Sequence, residues 1–330
     1  MIFNPAIIAL LSGSFLTLSV LLYASWYGVR ILRRWDIRSG SEQQLEMERR
    51  TYLISSVMAY VLGFQLLSLF LFIYTADRLA PLFSGAMCAA GSLHASSRGY
   101  PTLVLKIVNF LAAGVWLIVN STDNTAFDYP LIRKKYALLL PITVLVAAET
   151  FFQTAYFLDL KPDIITSCCG TLFSTGADQA STLASLPWQQ AASAFYAFML
   201  LTLGSGLVFY FRGRGIYLFS LCSTVLFVIS CAALIAYISP YFYELPTHHC
   251  PFCILHPEYN FVGYFLYLAF LAGGVTGLGA GAISPFAGIS SLKDSLPRIR
   301  KELALICMAS WTVALAISAL GIVCSGLVMS

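Results

Sequence analysis

Charge is what this sequence has least of. Asp, Glu, Lys and Arg make up 10% of its 330 residues, against about 25% in soluble domains. With 59% hydrophobic residues, too little polar surface remains to clothe a water-soluble fold. Histidine is scarcer still, at four residues beside nine cysteines. The chain also lacks a repeat of fixed period, a low-complexity tract and a linker long enough to separate domains. It has no Walker motif, no metalloprotease motif and no usable serine-histidine-acid arrangement, which leaves phosphate-loop nucleotide chemistry and the common hydrolases without support. The net charge of +4 is distributed as a topology signal and gives no reason to expect nucleic acid.

Present instead are eight apolar runs, approximately 5–29, 51–75, 102–121, 136–158, 188–211, 216–239, 261–284 and 303–327. Each is near the ~20 residues needed to cross a hydrocarbon core about 30 Å thick. They are continuous and do not alternate in polarity, so helices rather than barrel strands satisfy their backbones. Trp26, Trp35, Tyr136, Trp188 and Tyr241 sit at span margins, as interfacial aromatics do. The expectation is an all-α polytopic membrane bundle of about eight helices forming a single domain over residues 1–330. Lipid is its first partner.

Arg30, Arg33, Arg34, Arg38, Arg49, Arg50, Arg133, Lys134, Lys135, Arg212, Arg214, Lys293, Arg298, Arg300 and Lys301 all fall on one side of this map. The positive-inside rule makes that side cytoplasmic. Arg78, Arg98, Lys106 and Lys161 lie outside or near the outer rim. Both termini then face out, in a multi-pass protein expected in the plasma (inner) membrane. The first span is followed, not preceded, by its positive charge and is too long for a signal core, so it reads as retained.

On this map every histidine and all five loop cysteines gather on the outer face. The outer loop 76–101 carries Cys88 and His94; loop 159–187 carries the vicinal pair Cys168 and Cys169. Loop 240–260 holds His248, His249, Cys250, Cys253 and His256, in THHCPFCILHPEYN. The inner connections hold neither residue type. Cys222, Cys231, Cys307 and Cys324 fall within spans, where cysteine ordinarily packs as a small hydrophobe; Cys324 is close enough to the outer end to join the cluster.

Three readings compete for the cluster. Structural disulfides suit an oxidising compartment, but Cys-x-x-Cys closes too short a loop to staple anything, and adjacent cysteines pair only through a strained ring. Thiol-disulfide exchange needs an attacking thiolate and a resolving thiol. Here Cys250 attacks, with His248 and His249 supplying positive charge, and Cys253 resolves. Cys168, Cys169 and Cys88 then form a second station facing soluble thiol partners. The third reading is a soft metal, because thiolate and imidazole suit copper or zinc. Its ligands would come from His248, His249, His256, His94, Cys250 and Cys253, and a metal-carrier protein would be the partner. No histidine falls mid-span, which argues against a haem inside the bundle and leaves one at the outer rim open.

The stretch CPFCILHPEYNFVGYFLYL, residues 250–268, resembles the segment of disulfide-generating membrane quinone reductases and their vitamin K epoxide reductase relatives. There a Cys-x-x-Cys and an aliphatic residue lead directly into a transmembrane helix. Cys250, Cys253 and Ile254 match that pattern. The resemblance implies electron exchange with quinone at Cys250 and Cys253. Cys168–Cys169 resembles the adjacent cysteines of mercury-transport membrane proteins.

Two features lie inside the spans. Glu149 falls near the middle of span four, with Gln153 one turn further on the same face. A carboxylate at the bilayer centre costs at least ~2.5 kcal/mol, so it must be protonated, paired or turned to a polar cavity. It is a candidate for proton relay or quinone contact, and equally for a structural hydrogen bond. Lys106 lies roughly 7 Å nearer the outside, within reach if spans three and four touch. Asn109 is one turn from Lys106; Asn120 and Asp123 read as interfacial. The glycines of AGGVTGLGAGA, Ala272 to Ala282, read as close helix packing. The leading expectation is thiol-disulfide redox chemistry on the extracytoplasmic face. Soft-metal binding is the alternative, and a structural subunit that docks a partner is the third.

Overall fold

The computed structural model describes residues 4–36, 39, 41–161, 166 and 187–327; Cys168 and Cys169 lie outside the described residues. Eight long apolar helices are present, and no β-strand occurs among the described residues. The protein is an all-α, multi-pass membrane protein. In chain order the helices are α1 (Pro5–Arg34), α2 (Glu42–Leu79), the short α3 (Ala89–His94), α4 (Gly99–Asp123), α5 (Ile132–Asp159), α6 (Trp188–Arg212), α7 (Ile216–Ala233), the short α8 (Ser239–Tyr243), α9 (Val262–Ala282) and α10 (Ser295–Cys324). α2 starts nine residues before the expected span at Thr51, because the polar stretch EQQLEMERR is made of good helix formers.

Local chemistry sets the ends. Asn4 caps α1 by accepting from the Ala6 N–H at 3.0 Å, with proline in the first turn, where its missing N–H costs nothing. Gly213 and Gly215 take left-handed backbone angles between α6 and α7, a turn that a Cβ would oppose.

The described residues form two compact units. The first comprises residues 1–75, 96–161 and 285–299. Its α5 packs against both α1 and α4, around buried Leu21, Tyr27, Met58, Trp116, Tyr136 and Leu139. Polar contacts fix these faces: Ser25 Oγ meets Thr143 Oγ1 at 2.6 Å, and Gln153 Nε2 donates to Ser14 Oγ at 3.0 Å.

Two buried ion pairs of opposite order join α4 to α5. Lys106 Nζ lies 2.7 Å from Glu149 Oε1. Glu149 Oε2 accepts from Gln65 and Asn109, each at 2.5 Å, and Lys106 also donates to Ser68 Oγ at 3.0 Å. Further along, Lys135 Nζ lies 2.7 Å from Asp123 Oδ2 and donates to Asn120 Oδ1 at 3.1 Å. The interfacial reading of Asn120 and Asp123 is therefore corrected. Both are buried, because Lys135 supplies the charge that Asp123 needs and the Leu131 N–H donates to Asp123 Oδ1 at 2.7 Å. Each helix carries one cation and one anion, about 25 Å apart on α4 and about 21 Å apart on α5 at 1.5 Å per residue. Only the antiparallel pairing at this register satisfies both pairs.

The second unit comprises residues 76–95, 162–284 and 300–330. Here α7 packs against α6 and α9. A Cβ on Gly273 would come within 2.7 Å of the Trp311 ring, and one on Gly277 would overlap Ser223. The glycine run thus permits the close approach expected of small residues. α7 ends in one π turn, Leu234–Ile238, just before Pro240. Proline has no N–H and clashes with the carbonyl four residues back, and the wider turn accommodates both defects.

Candidate functional site

The candidate site lies in the second unit and is built by two segments. The loop after α2 brings Cys88, which directly precedes α3; the loop between α8 and α9 brings Cys250 and Cys253. Cys88 and Cys250 are 162 residues apart in sequence, yet their sulfurs are 3.3 Å apart. With Cys253, the three sulfurs lie within 4.8 Å of one another. Cys88 and Cys250 are fully buried, while Cys253 is partly accessible. Cys324, at the exposed end of α10, is not one of the converging sulfurs.

The Cys-x-x-Cys turn is held by tyrosine hydroxyls. Tyr243, the last residue of α8, donates to the Cys250 carbonyl at 2.6 Å and accepts from the Ile254 N–H at 2.8 Å. One hydroxyl thereby spans the turn from its first cysteine to the residue after its second. Tyr267 of α9 donates to the Pro251 carbonyl. Gly263 lets the turn rest on α9, since a Cβ there would meet the Ile254 side chain at 2.7 Å and its carbonyl at 2.9 Å. The loop leaves α8 through Glu244 and enters α9 through Asn260 and Phe261, all in the left-handed region. Non-glycine residues hold that conformation only where their surroundings demand it.

A carboxylate ties the two loops together. Asp77, near the end of α2, accepts from the Ala89 N–H at 3.1 Å and lies 2.9 Å from His256 Nε2. It thus anchors the residue after Cys88 and the residue three beyond Cys253. Sequence reasoning passed over Asp77, Tyr243 and Tyr267. Their one available signal was position: a lone carboxylate and two tyrosines at the ends of spans that flank cysteine-bearing loops.

The histidines divide their roles. His248 Nε2 is 3.4 Å from Cys253 Sγ, and its ring stands edge-on to Tyr243 at 4.6 Å. His249 Nδ1 is 2.8 Å from the Ile235 carbonyl. In the π register that carbonyl would look to the N–H of Pro240, which has none; Ser239 N instead serves Leu234. His249 supplies the missing donor, which assigns the proton to Nδ1 because a carbonyl only accepts. His256 is engaged by Asp77, with Glu258 Oε2 at 3.9 Å from its other nitrogen. His94 closes α3 half-buried. His248 thus meets Cys253.

The electrostatics distinguish the two motif cysteines. A hydrogen bond to Cys253, and after it burial, hold the Cys250 thiol well above its ordinary range, while the contact with Cys88 pulls the other way. Cys250 is thus kept protonated. Of the two motif sulfurs, Cys253 is the partly accessible one and lies beside His248.

Glu149 lies in the first unit, engaged by Lys106, Gln65 and Asn109. No protein-family model matches this chain, and no curated protein or solved structure matches it. What characterises it is its own architecture: a membrane protein with eight long apolar helices and three converging cysteine sulfurs, two buried and one partly accessible.

Proposed function

We propose that this protein carries out thiol-disulfide exchange at Cys253, Cys250 and Cys88, on its extracytoplasmic face, and passes the electron pair to a lipid-soluble quinone. The observation that carries the reading is the 3.3 Å contact between Cys88 and Cys250 sulfurs within one three-sulfur group. Exchange requires three sulfurs, one attacking, one attacked and one leaving.

In the oxidised centre Cys250 and Cys253 share the disulfide. A thiolate on an extracytoplasmic partner attacks Sγ of Cys253; the bond to Cys250 breaks, and Cys250 departs and takes a proton. A second thiolate on the partner then attacks the partner's own sulfur in the mixed disulfide. That step releases Cys253 and leaves the partner oxidised. Two electrons and two protons now reside in two thiols, and a bound quinone would accept both to restore the disulfide. Cys88 can take the place of Cys253 by forming a bond to Cys250, an exchange that consumes no oxidant. Accessibility reverses the roles expected from sequence: Cys253 meets the partner, and Cys250 is the inner thiol. The turn rests on Gly263 of a membrane-spanning helix, which supports access from the bilayer edge.

Convergence of three sulfurs also favours a soft cation such as copper or zinc. Sulfurs sharing a metal at about 2.3 Å in tetrahedral geometry stand about 3.8 Å apart. The closer approach of Cys88 and Cys250 suits direct sulfur exchange better. His249 and His256 have other partners, which reduces the imidazole supply, and a rim-bound haem draws no axial pair from this arrangement.

The test is a set of single Cys→Ser variants in reconstituted protein, assayed for trapped mixed disulfides and for bound copper and zinc. Cys250→Ser is expected to trap an oxidised partner on Cys253, whose thiolate opens the partner's disulfide, releases one partner thiol and lacks the inner thiol that would resolve the mixed disulfide. Cys253→Ser is expected to abolish capture. Stoichiometric metal lost with any one of the three cysteines, with no trapped species, would replace the redox reading by the metal one.

A further inference from the structure

A cavity of about 100 Å³ opens in the first unit where α1 and α4 end and α2 and α5 begin, lined by Trp35, Glu48, Thr51, Tyr52, Tyr129 and Lys135 among others. Helix ends of membrane spans lie at headgroup level. Basic residues crowd the same ends, with Arg33 and Arg34 closing α1 and Arg49, Arg50, Arg133 and Lys134 beside the cavity-lining residues in sequence.

Several groups here are arranged for an occupant. Thr51 is buried, and its Oγ1 has no hydrogen-bond partner, a state that costs about 1–3 kcal/mol. Lys135 is buried; an ammonium has three donors, and Asp123 and Asn120 take two. Tyr129 holds a left-handed backbone angle, as residues do where surrounding structure enforces strain at a ligand clamp. Arg133 donates to the Trp35 carbonyl at 2.7 Å and so fixes that wall. Glu48, which also lines the cavity, has one oxygen engaged by Gln44 Nε2 at 2.9 Å.

We propose that this cavity is a binding site for the headgroup of an aminophospholipid. Phosphate oxygens accept from Lys135 and Thr51, and the primary ammonium lies against Glu48 and the rings of Trp35 and Tyr52. The two signs of charge in one cavity, Lys135 from α5 and Glu48 from α2, select the class. A purely anionic headgroup would set its phosphate against Glu48 with nothing to offset the repulsion. A quaternary amine would satisfy the rings but has no N–H for the carboxylate.

The experiment uses the full chain in lipid nanodiscs doped with phosphatidylethanolamine, phosphatidylcholine or phosphatidylglycerol, with retained lipid quantified by mass spectrometry after detergent exchange. Phosphatidylethanolamine is expected to be retained about tenfold over the other two, the ratio that one charge-assisted hydrogen bond supplies. Thr51→Val and Glu48→Gln should each remove most of that preference. The thermal midpoint of lipid-stripped protein should stay unchanged or rise, because Thr51→Val removes an unpartnered buried oxygen. Equal retention of the three lipids, or a preference untouched by both substitutions, would overturn the proposal. Displacement by soluble phosphoethanolamine at concentrations equal to the lipid would also overturn it, by assigning the site to a free solute.

Discussion

The polar cluster around Glu149 and the sulfur cluster around Cys250 are both buried, chemically demanding and assembled from distant segments, but they are completed differently. In the first unit, the two oxygens of Glu149 receive three donors, from Lys106, Gln65 and Asn109. The charge of the carboxylate is there matched by a cation and two amide donors. In the second unit, the sulfurs of Cys88, Cys250 and Cys253 have chiefly one another and His248 as partners. Hydrogen bonds from Tyr243, Tyr267 and Asp77 hold the surrounding backbone instead. A matched carboxylate resists change, whereas the sulfur cluster is positioned through the backbone that carries it. The comparison teaches that the surroundings of a buried group say more about chemistry than its burial does.

The largest expected effect tests the matched side. Lys106→Met strands a carboxylate and Glu149→Gln strands an ammonium, each in a buried site. Each should cost about 3–5 kcal/mol. The double variant Lys106→Met with Glu149→Gln should recover much of this loss, because neither charge is then left alone. Thermal unfolding in detergent measures all three. Single variants that unfold like the parent would show that the pair is not holding α4 to α5, and would reopen Glu149 as a proton-carrying group.

A smaller effect is expected at the sulfur site. Tyr243→Phe leaves the Cys250 carbonyl and the Ile254 N–H without their shared hydroxyl, at about 1–3 kcal/mol. The loss should be local. Alkylation of Cys250 should accelerate while the global midpoint moves little; an unchanged alkylation rate would remove Tyr243 from the clamp.

The smallest effect is on pH. The folded chain holds the Cys250 proton more tightly than the unfolded chain. As pH rises, the unfolded state loses its proton first. The contribution to stability is therefore intact below the ordinary thiol pKa of about 8.5 and declines as pH climbs above it. Cys253 should alkylate faster than Cys250 throughout the neutral range. Equal rates would undo the assignment of Cys253 as the sulfur that meets the partner.

Much of the bundle was legible because its signals are local. Apolar runs long enough to span a membrane declare helices without reference to anything else, and the glycine run in α9 announces close packing. The extension of α2 before Thr51 was missed because polar helix formers carry no span signal. The importance of the segment 247–260 was legible from the crowding of scarce residue types. The division of labour within it was not. His249 was read as a charge beside Cys250, yet the proline at position 240 draws it to the Ile235 carbonyl. Asp123 was read as interfacial because its partner, Lys135, lies across a turn between helices.

By itself the sequence determined an all-helical membrane protein and the residue types able to do sulfur chemistry. Transfer free energy and backbone hydrogen bonding act residue by residue along the chain. Only the tertiary structure decided that Cys88 meets Cys250, that Cys253 is the accessible thiol beside His248, and that Lys106 and Asp123 each find an opposite charge on α5. Those outcomes depend on which helix faces touch and at what register. A linear pattern of residues does not encode distances between segments far apart in the chain.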